Sequence, residues 1–150
     1  MRKTLSVLFL VAACGSDAEP EASDAMADCT VDSRAEAYAP GMQAMAPDGT
    51  RLVLVSAEPG PPVRFDNTWT VQALGADGEP LAVTDLRVEP FMPDHGHGTP
   101  EPPEPVAAGE PGRYQMGPFD LWMPGIWQLH FSMEHGETTS TATLSFCIEE

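Results

Sequence analysis

The stretch IWQLHFSMEHGETTSTATLSFCI, residues 126–148, decides the fold. Trp127, Leu129, Phe131 and Met133 alternate with polar residues, the period of two that belongs to a strand with one face in a core. The segment EHGE then reads as a hairpin turn. On the return strand Ala142, Leu144, Phe146 and Ile148 take the inward face. Thr139, Thr141, Thr143, Ser145 and Cys147 take the other, so Cys147 points away from the core.

The same punctuation recurs upstream. Residues 51–56, RLVLVS, form an apolar run between the turn signals PDGT and EPGPP. Residues 67–74, NTWTVQAL, set Trp69, Val71 and Ala73 on one face and end in the turn GADGEP. Leu86 and Val88 point one way within residues 81–90, and residues 113–116 make a further short strand. A helical period is sustained nowhere; the segment VDSRAEAYAPGM allows one helical turn at most. Regularly spaced strands broken by Pro and Gly predict an all-β, antiparallel sandwich or barrel. Residues 29–150 suit a single domain by size. Its aromatic residues help so small a sandwich reach a sufficient core.

Residues 1–13 read as a targeting segment. Arg2 and Lys3 precede a short apolar run, well below the ~20 residues that span a bilayer. The run ends Val11-Ala12-Ala13-Cys14, which resembles a bacterial lipobox, and the expectation is lipidation at Cys14 with a membrane attachment through that lipid alone. Gly15 follows where Asp would favour inner-membrane retention, so the expected address is the outer membrane, facing the periplasm. Residues 14–28 are acidic and built of small residues, and they read as a disordered acidic tether.

The chain of 150 residues carries a formal charge of −16. Loss of Arg2 and Lys3 with the signal leaves five Arg against 23 acids, −18. Such a chain repels the phosphates of nucleic acid and anionic head groups. With Cys14 assigned to lipid, Cys29 and Cys147 remain as a pair in an oxidising compartment, and a disulfide is expected. Because Cys147 faces outward, the bridge should clamp the incoming N-terminal segment onto the outside or edge of the last strand.

Residues 67–102, NTWTVQALGADGEPLAVTDLRVEPFMPDHGHGTPEP, and residues 112–134, GRYQMGPFDLWMPGIWQLHFSME, together resemble the YtkA-like domain family, related to FixH-like domains. The pattern covers roughly residues 68–148. Its most specific pieces are Met92-Pro93-Asp94-His95-Gly96-His97-Gly98 and Met123-Pro124-Gly125-Ile126-Trp127. The resemblance implies an immunoglobulin-like β-sandwich at the bacterial cell envelope, in a setting of copper handling or oxidase assembly. The loop TPEPPEPV, longer and more acidic than the pattern suggests, is a departure.

The candidate site is a metal centre of Met92, His95, His97 and Met123. Imidazole suits copper and zinc, and thioether selects Cu(I). In an extended segment His95 and His97 would point to one side, with Gly96 allowing the backbone to close around an ion. Both imidazoles are expected to be exposed. Met116 is the next candidate ligand, although Met116 and Met133 also suit core positions; Met42 and Met45 lie in a separate segment. His130 falls on a polar face and His135 in a turn. No nucleophile elbow, phosphate loop or HExxH motif is present, and an enzyme is not expected. Two readings stand: a membrane-tethered copper-binding accessory protein, and a metal-free β-sandwich that docks an unknown envelope partner.

Overall fold

The structure is a computed structural model describing residues 28–150. The signal segment, Cys14 and all of the tether except Asp28 lie outside the described residues. Asp28 caps a short 3-10 turn, Cys29–Val31, by accepting from the Thr30 backbone N–H at 3.0 Å.

Nine strands follow: β1 (Gln43–Met45), β2 (Arg51–Glu58), β3 (Asp66–Leu74), β4 (Asp85–Met92), β5 (His97–Gly98), β6 (Val106–Ala107), β7 (Arg113–Asp120), β8 (Gly125–His135) and β9 (Thr138–Ile148). They form two antiparallel sheets, ordered β1-β2-β3-β7-β6 and β5-β4-β8-β9. Of the sandwich or barrel expected from the alternation, the sandwich is observed, immunoglobulin-like as the family resemblance implies. β8 and β9 pair without a slip from Gly125↔Ile148 to His135↔Thr138. Trp127, Leu129, Phe131 and Met133 of β8 meet Ala142, Leu144, Phe146 and Ile148 of β9 in one core with Trp69, Val71 and Ala73 of β3. Trp69 is its centre, edge-on to Phe119 at 5.9 Å and tilted on Phe146 at 5.0 Å.

Two strands depart from the sequence reading. β4 begins at Asp85, close to the start read at residues 84–90, but runs on past Pro90 to Met92; ahead of it Leu81 donates to the Ala73 carbonyl at 2.9 Å and Tyr114 holds Val83 through both backbone groups. β7 runs past Gly117-Pro118 to Asp120, since a register shift opposite Asn67 and Trp69 absorbs the irregularity. β1, β5 and β6 are too short to carry a period.

The Cys29–Cys147 disulfide is present, with 5.4 Å between the Cα atoms. β9 is the edge of its sheet, and the N-terminal strap lies along it, with Glu36 donating its backbone N–H to the Ser145 carbonyl at 2.9 Å. The bridge therefore clamps incoming chain to the outer edge, as the outward side of Cys147 requires. Ile126, directly opposite Cys147, is buried yet outside the main core, a small satellite at this end of the sheet. At the other end Ser140 donates to Asp48 and is hydrogen-bonded to His135 Nε2 at 2.8 Å, tying the β1–β2 turn to the β8–β9 hairpin.

The bridge closes a separation of 118 residues. Under the loop-entropy account, the Cys29→Ser/Cys147→Ser double variant should lose about 4–5 kcal/mol in a urea melt, with an unchanged far-ultraviolet β signature below the transition.

Candidate functional site

The turn between Leu121 and Gly125 organises one end of the sandwich. Pro124 fixes its backbone and Gly125 adopts φ +127, in the region that favours glycine. The buried Trp127 reaches back four residues and donates its indole N–H to the Met123 carbonyl at 2.8 Å. Gly125 also leaves space: a Cβ there would stand 3.1 Å from Cε of Met92. These contacts give Pro124, Gly125 and Trp127 distinct physical roles in the turn.

The turn carries Trp122 on its near side. The indole of Trp122 stacks on the imidazole of His97, with centroids 5.1 Å apart and planes 15° apart. His95 and His97 lie with ring centroids 5.6 Å apart. That separation suits two imidazoles sharing one ion at ordinary metal–nitrogen bonds of about 2.0–2.1 Å. Nδ1 of His97 is buried and has no hydrogen-bond partner.

The local backbone differs from the extended segment expected. Residues 93–96 form the turn of the β4–β5 hairpin, in which His95 and Gly96 both donate to the Met92 carbonyl, at 3.2 and 2.9 Å. Gly96 at φ +69 permits the turn. The two imidazoles are thus neighbours across a hairpin, one at its tip and one on β5. His95 is exposed as expected; His97 is half-buried beneath Trp122.

The methionines divide. Met92 continues the inward face of Leu86, Val88 and Pro90 and is fully buried in the core. Met123 is half-buried against the core. Met116 and Met133 are core side chains, Met42 is buried, and Met45 stands exposed on β1. His130 lies on the outer face of β8 with Gln128, and His135 is bound to Ser140. Among the described residues, no three His, Cys, Asp or Glu side chains form a metal-holding group. A site here rests on two imidazoles and whatever thioether can approach them.

The strap reaches the same loop. Arg34 donates to both oxygens of Asp94, at 2.6 and 3.0 Å, and also to Asp32. The hydrogen bonds from Arg34 hold the Asp94 carboxyl below the usual carboxylate range. The stabilisation from this lowered value is present above the ordinary aspartate range and is lost as pH falls through the Asp94 value. Asp94 is about half exposed, so solvent screens the pair and its worth is small.

The architecture and this end-loop arrangement define a small immunoglobulin-like sandwich. The YtkA-like family model matches residues 44–132, and the chain belongs to the YtkA-like family. Among solved structures it is similar to a DUF4426 family protein from Pseudomonas aeruginosa PAO1, at 14% sequence identity and a TM-score of 0.51. That match covers 73% of this chain and 100% of the other, and shows a shared fold. No curated protein matches the chain.

The role of Trp122 was not legible in the sequence, since nothing local marks which indole will face an imidazole. Replacement of Trp127 by Phe keeps the aromatic bulk but removes the donor to Met123. The variant should lose about 1 kcal/mol in chemical denaturation, the ordinary net worth of one protein hydrogen bond.

Proposed function

We propose that this protein is a lipid-anchored, non-enzymatic domain of the bacterial envelope that binds copper at His95 and His97. The observation that carries the reading is the pairing of the two imidazoles at 5.6 Å, with His97 held by the Trp122 stack. Holding one ligand in place lowers the ordering cost of binding. Met123, half-buried on the adjoining turn, is the thioether candidate for Cu(I). Met92 is the second, and because it is fully buried its thioether would have to leave the core to reach an ion. The exposed acids Glu101 and Glu104, in the loop after β5, would raise the local cation concentration without ligating.

The anchor is Cys14 and the expected location is the outer membrane facing the periplasm. Support comes from the lipobox-like sequence and from the periplasm-compatible pair Cys29 and Cys147. The acidity of the chain disfavours nucleic acid as a partner.

Equilibrium dialysis of the signal-free domain should show one tight copper, with affinity falling at least about tenfold in the His95→Ala/His97→Ala variant, as loss of both nitrogen donors implies. Cu(II) affinity should decline as pH falls, because protons compete for the imidazoles. Equal copper affinity in the two proteins would contradict the metal reading and leave a metal-free interaction module.

A further inference from the structure

Among the described residues, seven large apolar side chains stand exposed, and three of them lie on two segments that hydrogen-bond to each other: Val63, Phe65 and Trp122, with relative exposures of 45, 58 and 37%. Val63 and Phe65 line a groove of about 580 Å³ that also includes Cys29 and Cys147. Trp122 adjoins them, because Arg64 donates to its carbonyl at 3.0 Å and Phe65 exchanges backbone hydrogen bonds with Leu121 at 3.2 and 3.0 Å.

The fold holds this patch outward. Phe65 has φ +74, a conformation that a bulky side chain adopts only under constraint. The constraint is Asn67, buried on the inner side of β3. Its Nδ2 donates to the carbonyls of Val63 and Phe65 at 2.8 and 2.7 Å, and its Oδ1 accepts from the Val63 N–H at 3.1 Å. A buried amide thus fixes a strained loop whose product is an exposed phenyl ring on a segment that adjoins Trp122 through the backbone, a pattern that points to function.

We infer that this patch lies against the surface of the bilayer to which Cys14 anchors the protein. The inference rests on the lipid anchor proposed above. Its second support is where the chain enters the fold: Asp28 and Cys29 stand at this same end, and Cys29 lines the groove. The thirteen residues 15–27 separate that entry point from Cys14. Whatever their conformation they span at most about 50 Å, so the domain stays close to the lipid. A tether of that reach gives a weak surface contact a high effective concentration, and a few apolar side chains then suffice. Trp and Phe favour the membrane interface, and Arg64, 5.0 Å from the Phe65 ring, can meet lipid phosphate. The groove also carries Glu36, Glu149 and Glu150, which repel anionic head groups. The lipid chemistry that fits is therefore a zwitterionic surface.

The test is tryptophan quenching in the full lipidated protein, reconstituted in vesicles of phosphatidylethanolamine with brominated phosphatidylcholine. Trp69 and Trp127 are fully buried, so Trp122→Phe supplies the background. The inference expects brominated lipid to quench Trp122 well above that background and the membrane to shield it from acrylamide. Phosphatidylglycerol should reduce the lipid quenching. Phe65→Gly, which suits the positive φ and so preserves the loop, should also reduce it while copper affinity stays unchanged. Protein that floats with vesicles but keeps Trp122 open to acrylamide and unquenched by lipid overturns the inference and leaves the patch to a soluble protein partner. Protein that fails to float with vesicles overturns the anchor itself, and the inference with it.

Discussion

The indole N–H of Trp127 donating to the Met123 carbonyl is the contact on which this end of the molecule depends. Trp127 is a core residue by the alternation of β8, so its ring position is set by the whole sandwich. Through one hydrogen bond it fixes the turn from Leu121 to Gly125. That turn then presents Trp122 to His97, gives Leu121 to the strained loop at Phe65, and leaves room at Gly125 for Met92. Core packing is thereby transmitted by backbone groups, which have little freedom to adjust, to two surface features, Trp122 and the Phe65 loop, and to one buried contact at Met92.

A second constraint reaches the same end from outside. The strap from Cys29 to Glu36 is fastened to β9 by the disulfide and by the bond from Glu36, then to the β4–β5 turn through Arg34 and Asp94. The hairpin bearing His95 is thus held on one side by its own strand pairing and on the other by an exposed ion pair. The first is robust; the second is screened and weak at neutral pH. The imidazole on β5 is half-buried under Trp122, and the one at the hairpin tip is exposed.

The hairpin of β8 and β9 was legible in the sequence because a period of two over eleven residues has no competing explanation. The outward side of Cys147 followed from the same count and led to the edge clamp. Extending the count in β4 from Leu86 and Val88 through Pro90 reaches Met92, so its burial was also available in the sequence. The turn at residues 93–96 was left undecided by the sequence, because Gly96 serves an extended segment and a turn equally well. The Trp122 stack and the Arg34–Asp94 pair join residues far apart in the chain, and no local pattern encodes such meetings.

The central claim is that the His95–His97 pair, and no other imidazole, is the copper site. Paramagnetic line broadening by substoichiometric Cu(II) tests it most directly, read on the ring resonances of all four histidines and on the three indole N–H signals. The account predicts that His95, His97 and the Trp122 indole broaden first, while His130, His135 and the buried indole of Trp69 stay sharp. Broadening shared equally by the four histidines, or confined to His130 or His135, would contradict it.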